Sequence, residues 1–307
     1  MAEAQQPGKI YRLGILLPDS PSTAARNLET LHQRLRELGY VEGKNLIVEY
    51  RYAEGKLETL PALADELVRL KVDVIVTNSG PAIQAAKKAT KTIPIVFATA
   101  ADPVGGGIVS SLAKPGGNVT GSALLAPELN GKRLELLKEA FPKVTRVAFL
   151  WSTIGGTETR FKEAEAVAKA LGLRLQSVSV KDADDFERAL EAAKRGGARA
   201  LTATPNPFLG THRARIIDLA NKKRLPAMYT SSQWVEEGGL MSYAGESLEN
   251  WRRAAVYVDK ILKGRTPADL PVEQPMKFEF IVNLKTAKQI GVTIPPNVLV
   301  RANRVIR

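Results

Sequence analysis

The chain has 307 residues, 44% hydrophobic and 25% charged, a balance that excludes long disorder, collagen-like repeats and a continuous coiled coil. No apolar run approaches the ~18 residues of a membrane span, and the absence of cysteine excludes disulfides, thiolate metal sites and a Cys nucleophile. Lys and Arg number 44 against 32 Asp and Glu, for a net charge of +12 that falls mostly after residue 122: the first 122 residues hold 14 basic and 12 acidic groups, the rest 30 and 20.

Met1 to Gly8 are polar and lack an apolar h-region, so the chain as given shows no signal peptide; a leader trimmed ahead of these residues fits them equally. From Ile10 onward short apolar runs alternate with amphipathic stretches. Strands are expected at 10–17, 45–51, 73–77, 94–98 and 118–122, and helices near 23–38, 58–70, 81–90 and 104–112. Leu28, Leu31, Leu35 and Leu38 keep helical spacing ahead of Gly39, which suits a helix C-cap. The pattern restarts with strands at 145–150, 173–179, 198–203 and 226–229 and helices near 130–140, 158–171, 184–194 and 210–223. A long helix at 247–263 ends at Gly264, Pro267 to Pro275 reads as a connector, and a strand at 277–282 with a tail completes the chain. Such βαβ repetition implies parallel sheets covered by helices. Two open α/β lobes fit better than one closed eight-unit barrel.

Nucleic acid is the first partner that a basic excess suggests. Yet the longest basic run is Lys222-Lys223-Arg224, at the expected end of a helix, and aromatic content is 6%, so no nucleic-acid partner is expected. The two histidines, His32 and His212, lack partners at metal-ligand spacing, and no Walker loop, G-x-S-x-G, H-E-x-x-H or G-x-G-x-x-G occurs. The reading is therefore a non-enzyme with no cofactor and no metal.

Open parallel sheets bind ligands outside the carboxyl ends of their strands. Those ends are short and mostly neutral, bearing hydroxyl or amide groups suited to a small polar ligand. In the first lobe they supply Asp19, Ser20, Asn78, Ser79, Gly80, Thr99 and Asp102. In the second they supply Trp151, Asn206, Thr230 and Ser231, with Tyr243 as a further aromatic candidate. Asn78-Ser79-Gly80-Pro81 opens a helix: its free N–H groups suit a ligand carboxylate, though a plain cap fits the same residues. Asp102 either caps a helix or leaves an oxygen for a ligand ammonium. Trp151 either covers an apolar ligand group or joins the core, a choice that Trp234 and Trp251 share.

Asp102-Pro103-Val104-Gly105-Gly106-Gly107, followed by Leu112-Ala113-Lys114-Pro115-Gly116-Gly117-Asn118-Val119-Thr120-Gly121, resembles the solute-binding proteins of ABC transporters, in the tryptophan/tyrosine-type branch. The likeness continues through Gly238-Gly239-Leu240-Met241-Ser242-Tyr243, the helix Ala254–Gly264 and Phe278 to Pro296, and spans residues 10–307. It implies a type I periplasmic-binding fold of two lobes with a hinge between: 10–122 plus 245–265, and 123–244 plus 266–307. It further implies a monomer that is exported to the periplasm or cell exterior, with a trimmed leader or lipid anchor. A small-molecule ligand is held by lobe closure, and a membrane permease with its ATPase are the partners. An apolar or aromatic amino acid is the expected ligand. Many relatives have an Asp-bearing turn after the strand at 198–203, whereas this chain offers the Asn206 amide; Asp102 is then the carboxylate for a ligand amine, with Ser79 and Gly80 facing its carboxylate. A ligand-sensing module of a receptor or regulator is the alternative, although the nine residues before the first strand are too few for a DNA-binding domain.

Overall fold

The computed structural model describes residues 9–124, 126–154, 159–274 and 277–307; Met1–Gly8, Pro275 and the expected helix start at Glu158 lie outside them. The chain divides into two compact units, Met1–Leu124 with Ser247–Pro275, and Leu125–Glu246 with Met276–Arg307.

The first unit opens with β1 (Tyr11–Leu17), α1 (Pro21–Glu37), β2 (Leu46–Tyr52), α2 (Leu60–Arg69), β3 (Val74–Thr77), α3 (Gly80–Ala89), β4 (Ile95–Ala100) and β5 (Val119–Ala123). Helix α1 begins where sequence chemistry directs it. The Ser20 hydroxyl accepts the Thr23 N–H at 3.3 Å, Pro21 takes the first turn, and Ala24, Leu28, Leu31 and Leu35 recur every three or four residues on its buried face. The five strands pair in the order β2-β1-β3-β4-β5, all parallel. Strand residues alternate between two apolar layers: Leu13, Ile15, Val74, Val76 and Val96 face one, and Leu16, Ile75, Ile95 and Phe97 face the other, against Leu67, Ala82, Ile83 and Ala86. At the β4–β5 pairing Phe97 stands opposite Gly121, whose φ is +154°.

The second unit repeats this order with α4 (Ala126–Ala140), β6 (Arg146–Ser152), α5 (Thr159–Ala170), β7 (Arg174–Val180), α6 (Asp185–Arg195), β8 (Ala200–Ala203), α7 (Pro207–Thr211), α8 (Arg213–Lys222), β9 (Ala227–Tyr229), α9 (Ser232–Glu236) and β10 (Met241–Gly245). Helix α10 (Ser247–Leu262) then rejoins the first unit, burying Trp251, Ala254, Tyr257 and Val258 beneath β1, β3 and β4. The second unit closes with β11 (Phe278–Asn283), α11 (Leu284–Ile290), α12 (Pro296–Arg301) and β12 (Arg304–Ile306). Its sheet runs β12-β11-β10-β9-β8-β6-β7, so β7-β6-β8-β9-β10 reproduces the strand order of the first sheet. One layer packs Leu150, Leu201 and Tyr229 on Phe186, Leu190 and Ile216; the other packs Val147, Met228, Met241 and Phe280 on Leu134, Leu137 and Ile290.

Two open sheets of parallel βαβ units replace the barrel alternative. Several expectations change. Residues 104–112 form turns, not a helix: three successive glycines favour helix poorly, Gly107 adopts φ +63°, and Lys87 Nζ holds the carbonyls of Gly107 and Ile108 at 2.7 and 2.9 Å. The helix expected at 210–223 is two helices meeting at His212. The second sheet is mixed rather than wholly parallel, because β11 runs antiparallel to β10. The segment from Pro267 to Gln274 packs with the first unit and not the second: Thr120 Oγ1 donates to the Leu270 carbonyl at 2.7 Å, and Glu273 bridges to Ser122 beside β5.

A methyl group on Gly121 would stand 2.7 Å from Phe97 ring carbons and inside contact distance of the Phe97 carbonyl oxygen. Gly121→Ala is expected to destabilise the protein by about 2–4 kcal/mol, because strand backbone must move to admit it. Urea denaturation measures this, and a loss below about 0.5 kcal/mol would contradict it.

Candidate functional site: two strand-end rims

In the first unit, β1, β3 and β4 are sheet neighbours, so their carboxyl ends bring Asp19, Asn78, Ser79 and Thr99 to one rim. Ser79 is its most unusual member. It holds φ +67° and ψ 148°, a region that only glycine enters without strain. Two backbone bonds fix it there: its N–H donates to the Thr99 carbonyl at 3.1 Å, and its carbonyl accepts the Ile83 N–H at 3.1 Å, the first turn of α3. Its hydroxyl is buried and makes no hydrogen bond among the described residues, and it does not cap the helix. The Asn78 carbonyl oxygen is likewise buried and unpartnered, while its amide donates to Asp19 Oδ2 at 3.4 Å. Two orphaned polar atoms on adjacent residues are costly, at about 1–3 kcal/mol each, unless something else supplies the partner.

Gly80 and Ala82 present their N–H groups at the start of α3; Pro81 between them has none. Ser20 caps α1 and so has a structural task. Asp102 is exposed, and its Oδ1 accepts the Gly105 N–H at 2.8 Å. A capped turn, not a helix, is what it closes.

In the second unit the expected residues scatter. Trp151 is half-buried near the end of β6 and turns toward β7, donating from Nε1 to Ser177 Oγ at 2.7 Å. Tyr243 on β10 stacks on Phe278 at 5.9 Å and 17°. Strands β8 and β9 lie between β6 and β10, which sets Trp151 and Tyr243 about 14 Å apart across the sheet; they do not form one aromatic wall. Asn206 is structural: its Oδ1 caps α7 through the Leu209 N–H at 3.1 Å and its Nδ2 donates to the Ile154 carbonyl at 2.8 Å. Thr230 and Ser231 are half-buried at the end of β9, and Ser231 stands before α9 without a side-chain cap bond. Trp234 and Trp251 are core residues, Trp234 stacked on Tyr229 at 4.7 Å.

The structure adds residues that the sequence reading passed over. Thr204 Oγ1 and Ser242 Oγ are buried and unpartnered among the described residues. Arg133, on the second turn of α4, is 2% exposed. Its Nε donates to the Tyr243 carbonyl at 2.8 Å and its Nη1 to Asn130 Oδ1 at 3.0 Å, while Asn130 Nδ2 has no partner. Burial, and secondarily the charge of Arg160, pull the Arg133 guanidinium down to about 9, so it remains a cation at neutral pH. Nothing in the string Lys132-Arg133 inside an amphipathic helix distinguishes it from a solvated pair; only its three-residue spacing from Asn130 hints at a shared face. Among the described residues no group of three His, Asp or Glu side chains is placed to hold a metal ion. No helix of the described residues is long and apolar enough to cross a membrane.

Known proteins match this architecture along almost its whole length. A tyrosine-binding protein of Clostridioides difficile is 26% identical over 258 residues, which cover 83% of this chain and 74% of that protein. The crystal structure of an ABC domain from Streptococcus pneumonia in complex with L-Trp superposes with a TM-score of 0.90 at 26% identity, covering 97% of this chain and all of that one. A conserved domain protein from Vibrio cholerae gives a TM-score of 0.91 at 29% identity, with the same coverage. Residues 19–306 match the family described as ABC transporter substrate binding protein, and the chain belongs to that family.

Proposed function

We propose that this protein is the exported solute-binding component of an ABC importer, and that its cargo is an amino acid with an aromatic side chain. The observation that carries the reading is the first rim: Ser79 is held in a strained conformation, and its hydroxyl and Asn78 Oδ1 are buried with no partner among the described residues. Strain and orphaned polar atoms together are the mark of a site awaiting a ligand. Asn78 Oδ1 is an acceptor, and Asp19 adds negative charge beside it, which favours an ammonium group. Tyrosine binding in one relative and L-Trp in another support an aromatic amino acid as the solute. Capture by lobe closure completes the proposal, since a solute that binds one conformation better shifts the population toward it. A membrane permease with its ATPase would receive the loaded form at the cell exterior or in the periplasm.

A thermal-shift series with L-tryptophan, L-tyrosine and L-phenylalanine, against nucleosides and sugars, tests the cargo. At 100 times Kd the true ligand adds about 2.7 kcal/mol of stability. Stabilisation by a sugar or nucleoside and by no amino acid would sink the amino-acid assignment; small-angle scattering with the stabilising ligand should show compaction if capture involves closure.

Ser79→Gly separates a binding role from a purely structural one. Glycine accepts φ +67° freely, and releasing ~1–3 kcal/mol of strain outweighs the ~0.5–1 kcal/mol entropic penalty of glycine, so the unliganded variant should gain about 1 kcal/mol. Loss of the hydroxyl should weaken solute binding at the same time. Unchanged affinity measured by calorimetry would remove Ser79 from the site.

A further inference from the structure

We infer that Arg133, with Asn130 beside it, is the receptor for the carboxylate of the bound solute, so that the recognised class is a small carboxylic acid and the start of α3 is not the anion site. The inference rests on the solute-binding reading and specifies which group of the solute the second unit recognises.

Three features of the second unit argue for it. Arg133 is 2% exposed and has no carboxylate partner among the described residues; the groups its guanidinium does meet are the neutral Tyr243 carbonyl and the Asn130 amide oxygen. Two half-buried arginines of the same unit, Arg213 with Glu237 and Arg304 with Glu236, do meet a carboxylate. A desolvated, unpaired guanidinium is among the least favourable groups a fold can keep, and a bidentate anion is its natural complement. Second, Asn130 Nδ2, one turn before Arg133 on α4, is buried without a partner among the described residues, so a further donor stands beside the cation. Third, Arg133 lies midway along α4, and its bond to the Tyr243 carbonyl ties it to β10 beside the aromatic candidate Tyr243. The alternative anion site is weaker. The first turn of α3 offers the N–H groups of Gly80 and Ala82 with no cationic side chain, and Pro81 removes one donor. The orphaned atoms beside it, Asn78 Oδ1 above all, accept rather than donate.

The experiment compares matched ligands in which only the acid group changes: L-tryptophan with tryptophanamide and tryptamine, L-tyrosine with tyrosinamide and tyramine, and indole-3-acetate as an acid without an amine. Calorimetry and thermal shift are run on the whole protein, on Arg133→Gln and on Asn130→Asp. The wild type should favour the acids over their amides on the order of 100-fold, and Arg133→Gln should abolish that preference while melting no lower than the wild type without ligand. Asn130→Asp supplies an internal carboxylate to the same guanidinium; it should raise the unliganded melting temperature and weaken the acids selectively. If Arg133→Gln does not fold, Asn130→Asp alone decides. Retained acid preference in either folded variant overturns the assignment but leaves solute binding intact. Wild-type stabilisation by amides or amines as strongly as by acids also overturns it, again with solute binding standing. A wild type that no acid stabilises overturns it as well, and binding of a sugar or nucleoside in the parallel screen would then show that only the amino-acid class had failed.

Discussion

Parallel pairing is the constraint from which the rest follows. With Leu13 opposite Val74 and Ile75 opposite Ile95, every chain reversal after β1, β3 and β4 occurs on one edge of the first sheet. Residues separated by 80 positions in the chain, Asp19 and Thr99, thereby become neighbours along a single rim. The Ser79 N–H to Thr99 carbonyl bond carries the β3–β4 contact past the last ladder pair, Thr77 and Phe97, to the residue with positive φ. The strained residue thus sits where the sheet contact meets the first turn of a helix.

Charge is arranged in two different ways. Most of the ion pairs are exposed, such as Lys222 with Asp218 or Arg36 with Glu29, and each contributes ~0–1 kcal/mol. The loss of any one of them leaves the fold nearly unchanged in stability. Arg133 is the opposite case: it is buried, its described hydrogen-bond partners are neutral oxygens, and its burial is set by the packing of α4 on β9 and β10. A net-charge argument treats both kinds of cation alike. Only packing separates them.

Legibility in the sequence follows the range of the signal. Helix α1 was readable because its cap, its proline and its leucine spacing are all local, and β3 because Val74 to Val76 is a short buried run between turn residues. Strand β10 went unread: Met241 to Gly245 has small residues and one aromatic, and its identity as a strand depends on β9 and β11 flanking it. The triple glycine after Asp102 misled in the other direction, since a capping aspartate closes a turn as readily as it starts a helix. Within the rims, Asn78 and Ser79 were visible as strand-end residues, whereas Asn206, chosen on the same ground, proves to be a helix cap with both side-chain ends engaged. Strand-end position selects candidates; whether the side chain is already satisfied decides among them, and that is a property of three-dimensional packing.

Each unit, taken by itself, keeps one polar feature that its own fold leaves unsatisfied. In the first unit Asn78 Oδ1 lies buried beside a strained serine; in the second a buried cation stands beside the unpartnered Nδ2 of Asn130. Both are maintained against the fold's own stability, one through backbone strain and the other through desolvation. Ser79→Gly removes no described side-chain hydrogen bond, whereas replacing Arg133 also gives up its bonds to the Tyr243 carbonyl and to Asn130 Oδ1. On the proposed reading, the energy withheld from folding at these two places is what the solute recovers on binding, and the same two residues govern affinity and unliganded stability with opposite sign.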